Sequence, residues 1–374
     1  MSVPDARSPL AIARRSQILD ALQREGTVRV SELTDQLGVT VNTIRRDIAQ
    51  LAAEGLVHRV HGGATAVSAS DEADGDAAPR RRGASTAVRT VGMLVPSLDY
   101  YWPDVVRGAE EAASEDNLRV ALRGSSYETE DDRPQLEWLV DQLRVDGLAV
   151  APRMDNSTAR ATVEWLATLD IPVVLVERTA NVGPHHEVME SVVSDHVLGS
   201  AMAVRHLAAL GHRCVGLVTS AQSPTSPKVR QGWLEGIADC GLAGSAQTID
   251  ANVPSPGSAE CDAALDAILD DCLRTGTTAL VVHADSEAMA LVQHCEARGI
   301  RVPHDLSVVA YDDALAGLFS PALTAVRPPR RSVGRAAIDL VAARLADPRR
   351  PAHRVVISPS LRVRDSTAPP PTLS

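Results

Sequence analysis

A chain of 374 residues with a formal charge of −11 is long enough for two or three domains, since one domain takes roughly 100 to 200 residues. Its 44% hydrophobic content includes only one Phe, four Tyr and four Trp, so the core is expected to be built from Ala, Val, Leu and Ile. Five scattered cysteines without a CxxC pair argue against a disulfide framework or a structural zinc site, and no apolar run approaches the roughly 20 residues of a membrane span.

Residues 1–10 read as a frayed leader; with Asp5, Arg7, Arg14 and Arg15, the first stretch has no apolar signal-peptide core, and a cytoplasmic location is expected. A helix is predicted from Ala11 to Glu25, with Ile18, Leu19 and Leu22 facing inward, ending at Gly26. Ser31-Glu-Leu-Thr-Asp-Gln-Leu37 is a second short capped helix, and only Gly38-Val39 separates it from a third. That third helix lies in Val39-Thr-Val-Asn-Thr-Ile-Arg-Arg-Asp-Ile48, where Thr40 can accept from the orphan amides at the helix start. Ile44, Ile48 and Leu51 repeat at i, i+4, i+7 and define a face to be buried. Asn42, Arg46 and Ala49 point away from it, with Thr43, Arg45 and Asp47 on the flanks. The outer side thus offers an amide, a hydroxyl and two guanidiniums, the groups that reach base edges and phosphates in a major groove. Gly55 to Ala64 then mixes apolar Leu56, Val57 and Val60 with basic His58, Arg59 and His61 and closes with paired glycines, which reads as a small cationic hairpin.

Residues 14–64 resemble the DeoR-type winged helix-turn-helix through Arg14-Arg15 at the first helix, Thr43-Ile-Arg-Arg-Asp47 in the recognition helix and the closing Arg59-Val-His-Gly-Gly-Ala64. The resemblance implies a DNA-binding domain over residues 1–64. Arg14, Arg15, Thr40, Asn42, Thr43, Arg45 and Arg46 would grip or read DNA, while Arg59 and His61 would place the wing. Charge is distributed accordingly: residues 1–64 hold eight arginines against seven acids, and the acidic excess lies beyond residue 88. A near-neutral head must bind through a local patch, and an acidic body repels non-specific DNA.

From Thr65 to Thr86 the residues are almost all small, polar or charged, with acids at Asp71, Glu72, Asp74 and Asp76 and a basic run at Arg80-Arg-Arg82. Such a segment buries too little apolar area to fold, so residues 65–88 are expected to be a flexible linker.

Beyond it, apolar strands alternate with amphipathic helices. Predicted strands are Val91–Val95, Arg119–Leu122, Gly147–Ala151, Pro172–Val176, Cys214–Val218, Ala279–Val282 and Leu306–Ala310. Helices are predicted at Pro103–Ala113, Arg133–Leu143, Ala159–Leu169, from Asp195 to Leu210, and at Lys228–Cys240. Short continuous apolar strands separated by helices imply parallel sheets covered on both faces, here two doubly wound lobes with crossings near 194 and 326. Ligands are expected where strands end at their carboxyl sides. Tyr100, Tyr101 and Trp102 follow the first strand, Ser125 the second and Glu177-Arg178 the fourth, while Arg230, Asp285 and Asp312 fall at or after strands of the second lobe. Aromatic faces, guanidiniums and carboxylates together can orient a polyol.

Residues 90–366 resemble the effector domain of LacI/GalR-type repressors, itself similar to periplasmic sugar-binding proteins. The matching pieces include Thr90-Val-Gly-Met-Leu-Val-Pro96, Ile171-Pro-Val-Val-Leu-Val176, His206-Leu-Ala-Ala-Leu-Gly-His-Arg213, Arg230-Gln-Gly232, Ala310-Tyr-Asp-Asp313 and Arg364-Asp-Ser366. The resemblance implies effector contacts from Tyr100 to Trp102, Arg230 and Asp312, although Arg230 stands two residues before Gly232 where the family usually has three. It also implies an effector domain over 89–366, leaving 367–374 as a disordered tail. The hybrid carries no LacI-type hinge helix between Thr65 and Val88, and its body does not resemble the sugar-phosphate domain usual for DeoR-type regulators.

No Walker A, GxSxG or GxGxxG motif occurs, and His186-Glu-Val-Met-Glu190 lacks the second histidine of a zinc-binding HExxH helix, so it reads as a solvated loop. No catalytic residue, metal or cofactor is therefore assigned. The expected fold class is α/β, a winged helix-turn-helix followed by a two-lobed periplasmic-binding-protein-like domain. The expected function is an operator-binding regulator, a repressor working as a homodimer or higher oligomer, with a carbohydrate-like effector and no membrane partner. A cytoplasmic sugar receptor without DNA binding and a sugar-acting enzyme are the alternatives.

Overall fold

The computed structural model describes residues 18, 21, 27–37, 39, 40, 43, 44, 47, 48, 51, 57–60, 63–66, 88–98, 100–125, 131–221, 223–242 and 249–371. They belong to two compact units, Met1–Ser85 and Thr86–Ser374.

In the first unit, strand β1 (Thr27–Arg29) runs into helix α1 (Val30–Leu37), and β2 (Val57–Val60) pairs antiparallel with β3 (Gly63–Ala66). β1 joins the open side of β3, giving the order β1-β3-β2. The expected hairpin is therefore a three-stranded wing. Its third strand is too short to show an alternation in sequence, and β3 extends it to Ala66. Ile18, Ala21, Val28, Leu33, Ile44, Ile48 and Leu51 are each at most 4% exposed and form one cluster. The i, i+4, i+7 face is thus the core face. Asp47, expected on the flank, is also buried. Residues 1–10, most of the predicted first helix and linker residues 67–87 lie outside the described residues.

The second unit holds two six-stranded sheets. Lobe 1 begins with β4 (Arg89–Val95), α2 (Trp102–Glu115), β5 (Leu118–Gly124) and α3 (Arg133–Glu137), which continues into a π-helical turn at Trp138–Gln142. It goes on with β6 (Gly147–Val150), α4 (Ala159–Leu166), β7 (Val173–Val176), a hairpin of β8 (Asn181–Val182) and β9 (Glu187–Val188), and β10 (Glu190–Ser194). His185 and His186 lie exposed in the turn of that hairpin. Lobe 2 contains α5 (His196–Ala209), β11 (Val215–Ser220), α6 (Ser226–Asp239), β12 (Asp250–Val253) and α7 (Ala259–Thr275). It is completed by β13 (Ala279–His283), α8 (Asp285–Ala297), β14 (Ser307–Tyr311) and β15 (Thr324–Arg327). The chain then returns to lobe 1 for α9 (Arg330–Ala346) and β16 (Arg354–Ile357), and ends its regular structure in lobe 2 with β17 (Ser360–Arg362).

The lobe 1 sheet has the order β16-β10-β7-β6-β4-β5 and is parallel throughout; that of lobe 2 runs β12-β11-β13-β14-β15-β17, with only β17 antiparallel. Three connections cross between lobes, at residues 194–196, 327–330 and 357–360. The third was not legible from periodicity, because β16 and β17 are only four and three residues long.

Helix pairs hold each lobe together at glycines. A Cβ on Gly108 of α2 would lie 2.0 Å from the Arg331 carbonyl oxygen, and one on Gly334 of α9 would lie 1.8 Å from that of Val105. Gly232 of α6 meets Val197 of α5 in the same way, at 2.0 Å. The tail corrects the expectation of disorder from residue 367. Thr367 Oγ1 lies 3.0 Å from His206 Nε2, the Ala368 amide donates to Ser307 Oγ at 3.1 Å, and its carbonyl accepts from Ser307 Oγ. These contacts pin the segment along lobe 2, and only residues 372–374 lie outside the described residues.

Candidate functional site

The carboxyl ends of the strands of both lobes face a cavity of about 380 Å³. Lobe 1 supplies Ser97, Tyr100, Tyr101 and Trp102 from the turn after β4; lobe 2 supplies Ser220, Ser223, His283, Asp285, Glu287 and Asp312 from the ends of β11, β13 and β14. A recess of about 60 Å³ shares Tyr101, Trp102, Ser223, His283 and Asp312 with it and reaches Glu177, Arg178 and His196. Of the residues expected to meet an effector, Tyr100, Tyr101, Trp102, Arg178, Asp285 and Asp312 therefore meet in one cleft.

Ser125 and Arg230 do not line it. Ser125 Oγ donates to Asp132 Oδ1 at 2.5 Å, and Asp132 Oδ2 accepts from the Arg153 amide, a clasp between loops. Arg230 is half exposed on α6, with Nε 2.5 Å from Asp250 Oδ2. The departure in spacing explains this. Gly232 faces α5, and a residue two positions earlier lies about 200° around the helix, on the outer side. This corrects the expectation of an effector-binding Arg230.

Asp312 is delivered by a reversal after β14, where Asp312 and Asp313 take φ of 93° and 51°. Asp285 builds that reversal: its carboxylate accepts from the amides of Asp313, Ala314, Leu315 and Ala316 at 3.2, 2.6, 2.7 and 3.2 Å. Asp285 thus lines the cleft but acts as a positioning residue. Asp313 points the other way, into Arg327 Nε at 2.6 Å and Arg364 Nη2 at 2.8 Å. Asp312 is left facing the cleft. Burial, then the charge of Asp285, with further push from Glu287 and Glu177 and opposed by Arg330, raises its carboxyl to about 8.

Among the lining residues not assigned from sequence are His196, His283 and Glu287, and Arg330 grips the loop that carries Asp312. Glu177 Oε2 is 3.4 Å from His196 Nε2 and accepts from the Ser194 amide, while Oε1 accepts from Ser194 Oγ at 2.6 Å and Tyr101 hydroxyl at 2.5 Å. Burial alone would raise Glu177, but these partners outweigh it and hold the carboxyl at about 2. His283 stacks edge-on to Tyr311 and sits 3.4 Å from Ser226 Oγ; burial, with His196 adding to it, drops its imidazole to about 4. Glu287 Oε2 accepts from Ala284 N and Ser286 Oγ. Arg330 donates to the Asp312 carbonyl at 2.9 Å and lies 3.2 Å from Asp104 Oδ2. Strand ends were a usable signal for His283, which closes β13. The pairing of Glu177 with His196 was not, because nothing local links them.

At the first unit, the Thr40 carbonyl accepts from the amides of Thr43 and Ile44 at 2.9 and 3.1 Å, and its hydroxyl lies 2.9 Å from Thr43 Oγ1. The recognition helix therefore starts where the sequence places it, with both hydroxyls partly exposed. Arg59 falls in β2, its backbone paired with Ala64. Arg14, Arg15, Asn42, Arg45, Arg46 and His61 lie outside the described residues.

Residues 14–70 match the DeoR-like helix-turn-helix domain, and residues 204–367 match the periplasmic binding protein-like domain. The HTH-type transcriptional repressor PurR of Photobacterium profundum is 28% identical over 74% of this chain and 81% of its own length. A LacI family transcriptional regulator from Mycobacterium smegmatis is 28% identical over 75% of this chain and 99% of that one, with a TM-score of 0.60. A LacI family regulator from Enterococcus faecium, solved with bound ribose, shares the fold at 22% identity and a TM-score of 0.58, over 75% of this chain and 99% of that one. The chain joins a DeoR-like head to a LacI-like two-lobed body, and these relatives are regulators, not enzymes.

Proposed function

We propose that this protein is a sequence-specific transcriptional repressor whose operator affinity is set by a small hydroxylated ligand held between the two lobes. The observation that carries the reading is one cleft at the strand ends of both lobes, lined by Tyr100, Tyr101, Trp102 and Asp312, on a chain that begins with a DNA-binding head. Ribose in the Enterococcus relative and the aromatic walls here favour a sugar or sugar derivative. Arg45, Arg46, Asn42 and Thr43 grip the major groove, Arg14 and Arg15 the flanking phosphates, and Arg59 with His61 sets the wing. The protein acts in the cytoplasm as a homodimer, so that two heads read two half-sites. Among the described residues no helix is long and apolar enough to cross a membrane.

Binding of the full chain to its own upstream DNA across a salt series tests this. The wild type is expected to bind with steep salt dependence, and the Arg45→Ala/Arg46→Ala variant to lose affinity with a slope reduced by about 2. Binding that ignores both salt and the two arginines would replace the regulator by a sugar receptor without DNA function.

A further inference from the structure

The charges around the cleft are one-sided. Arg230 lies on the outer face of α6, paired with Asp250. Among the described residues, Arg178 lines the recess but donates to the carbonyls of Pro152 and Glu177 at 3.0 and 2.9 Å, and Arg330, against the Asp312 loop, donates to the Asp312 carbonyl beside Asp104. Four carboxylates stand against them. Asp285 is held by four amides, Glu287 by an amide and a hydroxyl, and Glu177 by Ser194, Tyr101 and His196. Asp312 differs, because its carboxylate accepts no hydrogen bond from any described residue. A partly buried carboxylate without a donor is costly as an anion, and the partner that relieves it best brings positive charge as well as N–H groups. The opposite wall, with the rings of Tyr100, Tyr101 and Trp102, suits a cation too.

We infer that the effector carries a protonated amine, as in an amino sugar or a similarly hydroxylated amine, and that its ammonium docks on Asp312. The inference rests on the reading of the cleft as the effector site. Sugar phosphates and sugar acids are disfavoured by the same carboxylates. Burial and neighbouring acids hold the Asp312 carboxyl at about 8, His283 at about 4 is neutral, and Tyr101 and Tyr311 are pushed above their ordinary range. An arriving ammonium pulls Asp312 down, so binding near neutral pH releases a proton and tightens as pH rises until the amine itself begins to lose its proton, beyond which it weakens.

Calorimetric titration and thermal shift of the full chain with glucosamine, galactosamine, glucose, galactose and their 6-phosphates test this. The amines are expected to bind at least about tenfold tighter than the neutral parents. Proton release, read from buffers of different ionisation heat, should accompany them, and Asp312→Asn should bring the amines to the neutral level. Equal or tighter binding of a neutral sugar or a phosphate overturns the inference. So does an amine preference that survives Asp312→Asn, or a panel in which no member binds at tens of millimolar. A neutral sugar that binds through Asp312 would sink the amine and leave the effector cleft standing. Operator binding by the same preparation reports separately on the regulator.

Discussion

Replacing Asp312 by Asn should stabilise the ligand-free second unit, and the gain should depend on pH. The carboxyl sits at about 8 in the folded protein against an ordinary 3.8, so the folded chain holds its proton to higher pH than the unfolded chain does. Stability attached to this group is therefore present below the unfolded value and lost as pH rises through the folded one. At pH 7 a shift of this size corresponds to about 4 kcal/mol, at about 1.4 kcal/mol per unit. Water entering the cleft screens the charge, and an effective dielectric of about 20 leaves roughly 1 to 2 kcal/mol to be realised. Asn has no charge to desolvate and tolerates the left-handed backbone at this position. Melting followed by circular dichroism should place the variant above the wild type by about 2 to 5 °C near neutral pH. The difference should vanish near pH 4 and level off above about 8. A variant that melts at or below the wild type at pH 8, or a difference independent of pH, would refute the reasoning.

Glu177 carries the opposite sign: its carboxyl is held at about 2, so its contribution is present above the ordinary value of 4.5 and lost as pH falls through 2. Glu177→Gln should cost about 3 kcal/mol at neutral pH, measured by urea unfolding, with the deficit shrinking in acid. Gly334→Ala would place a methyl 1.8 Å from the Val105 carbonyl oxygen. It should lower the urea midpoint of the second unit by the equivalent of about 3 kcal/mol without altering the m-value. Ile44→Ala removes a fully buried side chain from a small core, costing about 2 to 5 kcal/mol. Operator binding should fail while the melting of the second unit stays in place.

Features set by local pattern were legible in the sequence. The apolar run Val91–Val95 reads as a strand of a covered sheet, and Thr40 followed by Ile44, Ile48 and Leu51 reads as a capped helix with one buried face, as both are in the structure. Strand ends located Tyr100–Trp102 and Asp312 without knowledge of the sheet order. Contacts decided by helix rotation or by distant pairing were not legible. Arg230 misled because its side of α6 is fixed by Gly232 packing on Val197. Asp285 was found for the right place and the wrong task, since the four amides it holds belong to residues 313–316. His196 and Arg330 were missed because their partners are set by tertiary packing: Glu177 lies in the other lobe from α5, and Asp104 stands far earlier in the chain than α9.

Those last two residues open the two interlobe crossings that enter helices, and each touches both lobes. His196 begins α5 and reaches Glu177 in lobe 1 and Tyr311 in lobe 2; Arg330 begins α9 and reaches Asp104 in lobe 1 and the Asp312 carbonyl in lobe 2. A ligand that engages Asp312 therefore acts on a loop already gripped from the crossing. Movement of that loop must either carry α9 with it or break the Arg330 contacts. Since Gly108 and Gly334 lock α9 onto α2 at backbone contact, the pair has to shift as a unit, because packed helices slide between discrete seatings and do not deform continuously. An effector need distinguish two such seatings by only about 1 to 3 kcal/mol to change DNA affinity by one to two orders of magnitude.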